Sequence, residues 1–162
     1  MPKRSRLEIE VLRSLYQGDV VRGYNYEVLV TGRTVTGRAR IIFNKVQELK
    51  SCLLDRIYSQ FRARGLQPQD TFAVLYHFYL NGVGYSEERM RQGVGSRVLK
   101  EIIDDCREEG VRALYVITKS DSLQAFLEKK RFTCADDALM RSLGGPTIYY
   151  YIPQPKKDIT RT

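Results

Sequence analysis

Apolar residues recur along this chain at two periods. Val46, Leu49, Leu53, Ile57 and Phe61 follow one another at three and four residues. That spacing predicts an amphipathic helix over residues 45–64, with Asn44 as its cap and Gly65 as its stop. Val98, Leu99, Ile102, Ile103 and Cys106 repeat the pattern, and Gly110 stands where a helix ends in a left-handed residue. A third helix is predicted from Ser120 or Asp121 through Lys130, with Leu123, Phe126 and Leu127 turned inward.

Alternation at period two marks the strands. Residues 7–11 alternate apolar and charged, although Leu12 and Leu15 would also suit a helix. Residues 24–30 and 34–43 are rich in β-branched and aromatic side chains; Thr31, Gly32 and Arg33 between them suit a hairpin turn, and Gly37 suits a bulge. A turn over 67–70 leads to an apolar and aromatic strand over 71–80, followed by Asn81-Gly82, a turn or a bulge. Residues 111–118 have the continuous apolar character of a buried parallel strand, and 132–134 and 147–152 close the series. On the last of these, Tyr149 and Tyr151 share one face and Tyr150 takes the other. A strand, the helix behind the glycine loop closed by Gly110, and a second strand make a βαβ crossover, so the order predicts an α+β fold with a mixed sheet.

A length of 162 residues suits one domain with a real core. Residues 1–6 read as a basic arm and 153–162 as a flexible tail with two prolines. No apolar run reaches the roughly 20 residues that span a bilayer, and no apolar run follows the basic amino terminus as in a secretory signal. Cys52, Cys106 and Cys134 are odd in number, widely spaced and without zinc spacing, so they read as thiols in a reducing, cytoplasmic setting with no metal site. The formal net charge of +8 favours anionic partners, whether nucleic acid, a phosphorylated cofactor or an acidic protein surface.

The segment that bears most on chemistry is Arg91-Gln92-Gly93-Val94-Gly95-Ser96-Arg97, at the start of the second predicted helix. Glycine lets backbone approach a ligand closely, and a helix start presents unpaired N–H groups and partial positive charge. Together they make a cradle for phosphate. Arg91, Arg97 and Lys100 can add charge-assisted bonds, and Ser96 a hydroxyl.

Residues 83–134 resemble the core of the GCN5-related N-acetyltransferases. That family has a Q/R-x-x-G-x-G/A loop opening a helix, then a strand, then a helix ending Tyr-x-Lys-x-Gly-Phe. The matching residues here are 90–95, 114–118 and 127–132. The resemblance implies a single-domain, mainly antiparallel mixed sheet flanked by helices, with 7–80 a divergent substrate-side half and 81–152 an acetyl-CoA-binding half. It implies acetyl-CoA as cofactor, its pyrophosphate held by Arg91, Gln92, Gly93, Val94, Gly95, Ser96 and Arg97. Met90 stands at the loop's usual Arg or Gln, Arg131 at the glycine of the Gly-Phe pair, and Leu127 at the tyrosine that many members use as general acid.

Acetyl transfer needs a neutral amine, an oxyanion donor and a proton for the departing thiolate. The glutamate that the family often carries on the strand before the loop has no counterpart between Thr71 and Ser86. His77, the only histidine, is one candidate base; Glu87 and its neighbour Glu88 are others. Tyr85 and Tyr115 are candidate proton donors, and Ser120 and Ser122 can supply a hydroxyl in place of the missing tyrosine. Two functions follow as expectations. One is an acetyl-CoA-dependent N-acetyltransferase acting on a primary amine of a protein or small molecule. The other is a catalytically weak or inactive module of the same fold, binding nucleic acid or a protein partner through its basic surface.

Overall fold

The computed structural model describes residues 9–18, 22–30, 37–45, 62–67, 69–79, 93–135 and 147–154. In chain order these form β1 (Ile9–Gln17), β2 (Arg22–Val30), β3 (Gly37–Lys45), β4 (Thr71–Tyr79), α1 (Val94–Glu108), β5 (Ala113–Thr118), α2 (Asp121–Lys129), β6 (Thr133–Cys134) and β7 (Thr147–Tyr151). The strands make a seven-stranded sheet in the order β1-β2-β3-β4-β5-β7-β6. β1 runs antiparallel to β2, β4 parallel to β5, and β7 antiparallel to both β5 and β6. This is the α+β mixed sheet that the periodicities predict. Contacts group the chain into two compact units, Met1–Ile42 with Tyr76–Asp104, and Phe43–Leu75 with Asp105–Thr162.

In the first unit, β1 pairs with β2 along its whole length, from Ile9 opposite Val30 to Gln17 opposite Arg22. One face is buried through Tyr26, Val28, Ala39 and Ile41, while Ser14 and Arg38 on the other face are exposed. Leu12 and Leu15 do not form a helix face. They lie on opposite faces of the edge strand, 43% and 60% exposed, and β1 runs on past them to Gln17. Gly23 is required by close approach, because a Cβ there would overlap the carbonyl oxygen of Ile41.

In the second unit the core is aromatic and β-branched. Phe72, Ala73, Val74 and Leu75 are all buried, and so are their partners Ala113, Leu114, Tyr115 and Val116. Such continuous burial is what a parallel strand covered on both faces requires. Tyr149 and Tyr150 point to opposite faces and both are buried, since β7 lies between β5 and β6. Tyr149 donates to Glu128 Oε1 of α2 at 2.8 Å. Asn44 lies in β3, one residue before its end, and the helix start that it is expected to cap lies outside the described residues. Of the helix expected over 45–64, Arg62 and Ala63 are helical and Gly65 closes the turn onto the Arg62 carbonyl; the rest lies outside the described residues.

α1 buries Val94, Val98, Leu99, Ile102 and Cys106, as its period predicts, with Ile103 half-buried at the margin. It ends in a Schellman motif: Val111 N–H reaches the Cys106 carbonyl at 2.9 Å, and Gly110 N–H the Arg107 carbonyl at 3.2 Å. Past β7, Arg107 Nε donates to the Gln154 carbonyl at 3.0 Å, and residues 155–162 of the expected tail lie outside the described residues.

α2 ends in the same motif, with Phe132 N–H on the Leu127 carbonyl and Arg131 N–H on that of Glu128. Here the left-handed residue is Arg131, at φ +66°, where glycine would carry no Cβ penalty. Arg131→Gly is therefore expected to raise stability by about 1 kcal/mol, net of the entropy that glycine adds to the unfolded chain. Gly23→Ala is expected to lower it by about 2–3 kcal/mol through the overlap with Ile41. Urea unfolding of the two variants against wild type checks both signs.

Candidate functional site

Of the residues expected to hold pyrophosphate, Gly93 to Arg97 are described; Arg91 and Gln92 lie outside the described residues. Gly93 takes φ +82°, a conformation that L-residues rarely adopt, and turns the chain into α1. Its carbonyl accepts the first helical bond, from Arg97 N–H at 2.9 Å. The amides of Val94, Gly95 and Ser96 therefore precede any intrahelical acceptor. Val94 and Gly95 are buried, and Ser96 is half-buried.

The electrostatics of this turn point the same way. Helices ordinarily place acidic residues in their first turn, yet α1 has none there and carries Arg97 instead. Among the described residues no acid of its own first turn neutralises the helix start, which suits an anion. Arg97 Nε lies 3.3 Å from Glu101 Oε1, with the two side chains 54% and 35% exposed. An exposed i,i+4 pair of this kind is worth only about 0.3–0.5 kcal/mol, so Glu101 orients Arg97 without sequestering it.

The parallel β4–β5 ladder spans Phe72–Leu75 and Ala113–Val116. β4 continues to Tyr79, with Tyr76 43% exposed, and β5 continues to Thr118, with Ile117 38% exposed. Just beyond, Ser120 caps α2: its Oγ accepts from Leu123 N–H at 3.3 Å and lies 3.0 Å from Ser122 Oγ, while its own N–H donates to Thr118 Oγ1 at 3.0 Å. Ser120 is thus the cap of α2, one of the two residues that the sequence offers for it, and Ser122 and Thr118 lie on either side of it. Leu127 is fully buried, an anchor of the core at the position where the resembling family has its acid. Tyr115 is buried as well.

His77 falls within β4, and its side chain is outside the described residues, as are Tyr85, Glu87 and Glu88. Among the described residues no cluster of His, Cys, Asp or Glu could hold a metal, and no helix is long and apolar enough to cross a membrane. A further constellation centres on Arg40 of β3. Its Nε donates to Asn25 Oδ1 at 2.7 Å, and its guanidinium stands 4.2 Å from the Tyr16 ring centre. No local signal marks this trio, because three strands supply it.

Residues 61–131 match the model of the Acetyltransferase (GNAT) family. Three solved structures have similar folds. FeeM, an N-acyl amino acid synthase from uncultured soil microbes, superposes with a TM-score of 0.61 at 11% identity, covering 91% of this chain and 90% of its own. A GNAT-family acetyltransferase from Staphylococcus aureus Mu50 gives 0.51 at 12% identity, covering 82% of this chain and 68% of its own. The Bacillus subtilis N-acetyltransferase YlbP, solved with coenzyme A, gives 0.50 at 13%, covering 82% and 69%. No curated protein sequence matches. The segment matched to the GNAT model is under half of the chain, and the solved structures, at 11–13% identity, show a likeness of fold.

Cys106 is no candidate nucleophile. Burial, reinforced by the carboxylates of Asp105 and Glu109, pushes its thiol from 9.0 up to about 12. Between those values the unfolded chain releases a proton that the folded chain keeps, so stability falls as pH rises. The slope approaches about 1.4 kcal/mol per pH unit once the unfolded thiol is ionised. Cys106→Ala is expected to be less stable at pH 7 through the small cavity it leaves, and to lose less stability than wild type between pH 8.5 and pH 10, which denaturant midpoints at the two pH values will show.

Proposed function

We propose that the chain is an N-acyltransferase that takes its acyl group from acetyl-CoA and delivers it to a primary amine of a protein or small molecule. The observation that carries this reading is the start of α1: a left-handed Gly93, three amides ahead of the first helical bond, and a first turn without an acid. The GNAT match over the same segment and a structural neighbour solved with coenzyme A support it. Another neighbour, an N-acyl amino acid synthase, supports the broader N-acyl chemistry.

In this reading the amides of Val94, Gly95 and Ser96, with Arg91, Gln92 and Arg97, hold the pyrophosphate. The thioester supplies an activated acyl carbon and a thiolate leaving group. A β4 amide beyond Leu75, where the ladder with β5 has ended, polarises the acyl oxygen. His77 or Glu87 takes the proton of the incoming ammonium. The proton for the thiolate comes from Tyr85 or from the Ser120–Ser122 hydroxyl pair, since Leu127 has none to give.

That apolar, fully buried Leu127 also favours a second reading, a weakly catalytic or inactive module that binds nucleic acid or an acidic protein partner. Thermal unfolding with acetyl-CoA, followed by thiol release with a panel of amines, separates the two. At 100-fold the dissociation constant, the ligand is expected to add about 2.7 kcal/mol to stability. Stabilisation followed by turnover supports the transferase, whereas stabilisation without turnover supports the module.

Ser96→Glu gives a sharper prediction. A carboxylate in the first turn should raise the stability of the free protein by about 0.5 kcal/mol and abolish stabilisation by acetyl-CoA. A purely structural turn would show the gain without the loss. Gly93→Ala meets nothing within 4 Å, so its expected cost is backbone strain of about 1 kcal/mol, together with weaker acetyl-CoA binding in the same thermal assay.

A further inference from the structure

The outward face of β1, β2 and β3 carries a groove of about 440 Å³ lined by Ser14, Asn25, Glu27, Arg38 and Arg40 among others. Its volume falls within the roughly 300–1,000 Å³ of small-molecule sites. The opposite face of the same strands is buried through Tyr26, Val28, Ala39 and Ile41, so the groove stands on a packed sheet. Ser14 stands directly opposite Asn25 and Leu12 opposite Glu27, which places Ser14, Asn25 and Glu27 on one face.

Three features make the groove a receptor. First, Arg40 is held from two sides, by Asn25 Oδ1 at 2.7 Å on Nε and by the Tyr16 ring at 4.2 Å. A guanidinium fixed in this way, with no carboxylate on it among the described residues, keeps its terminal N–H groups for an incoming anion. Second, Arg38 lies two residues along the same strand and lines the same hollow without an ion pair among the described residues. Third, Glu27 brings a half-buried carboxylate into the hollow, and no described cation pairs with it. Two guanidiniums prefer a carboxylate or phosphate. The carboxylate beside them repels a polyanion and attracts an ammonium.

We infer that this groove binds a small zwitterion carrying both a carboxylate and an ammonium group, a free α-amino acid, with Arg38 and Arg40 on its carboxylate and Glu27 on its ammonium. The inference does not depend on acyl transfer, and its test reads binding alone.

The test is titration calorimetry of the full chain with glycine, L-alanine, L-leucine, L-phenylalanine, L-glutamate and L-lysine, then with the N-acetyl and methyl ester forms of whichever binds. The expected result is saturable binding of at least one free amino acid, weakened about tenfold or more when either charge is blocked. Arg38→Ala, at an exposed strand position, should weaken binding of the free amino acid and leave the circular dichroism unchanged. Glu27→Gln should abolish the discrimination between free and N-acetylated forms. No saturable binding by any of the six up to about 10 mM would overturn the proposal. So would inorganic phosphate binding more tightly than the amino acids, or blocked forms binding as well as free ones.

Discussion

Everything downstream of β3 depends on one short parallel ladder, Phe72 to Leu75 against Ala113 to Val116. Parallel neighbours cannot be joined by a tight turn, so the chain must leave the end of β4 and return to the start of β5 by a crossover. α1 is that crossover, and its buried stripe of Val94, Val98, Leu99, Ile102 and Cys106 fixes its rotation. The return is also pinned at its far end, where Arg112 N–H donates to the Thr71 carbonyl at 2.9 Å. The same crossover helix carries the left-handed Gly93 and the amides ahead of Arg97 at its start.

The ends of the two helices show where local preference yields to that frame. Both stop in the same Schellman geometry, one on Gly110 and the other on Arg131. At Gly110 the residue and the backbone agree. At Arg131 they conflict, and the surrounding contacts prevail: Leu127 and Phe132, both buried, flank the turn and hold it closed. The buried Leu127 accounts for two observations at once. It supplies the apolar contact that stabilises an arginine-bearing stop, and it removes a hydroxyl from the helix.

How much was legible follows from how local each signal is. α1, α2, β4 and β5 could be read from the sequence because their burial pattern is a period within one segment. The strand at β1 was legible from alternation, and Leu12 and Leu15 left a helix open only because an edge strand exposes apolar side chains that mimic half of a helical stripe. Asn44 has the chemistry of a cap yet lies in β3, where strand pairing outweighs a preference worth about 1 kcal/mol. Among the described residues a close approach requires glycine at Gly23, set by the backbone of Ile41 and invisible without the partner strand. Of the site, the helix start could be read because glycine and base are adjacent in sequence. The Tyr16–Asn25–Arg40 trio could not, because its members meet only when three strands align.

The same trio bears on what the charge of +8 means. Counted along the sequence, the excess of arginine and lysine suggests a polyanion. Among the described residues, Arg13 stands over Tyr24 at 4.7 Å, Arg40 over Tyr16 at 4.2 Å and Arg64 over Tyr150 at 5.0 Å. Each such contact is worth about 0.5–1 kcal/mol at an exposed site and restricts where the guanidinium can reach. A polyanion is best bound by many mobile bases that follow its phosphates, whereas a small carboxylate is best bound by a few that are held still. Part of the positive charge is therefore committed to rings in the sheet. What remains oriented, at the start of α1 and on the outer face of β3, suits compact anions better than a nucleic-acid backbone.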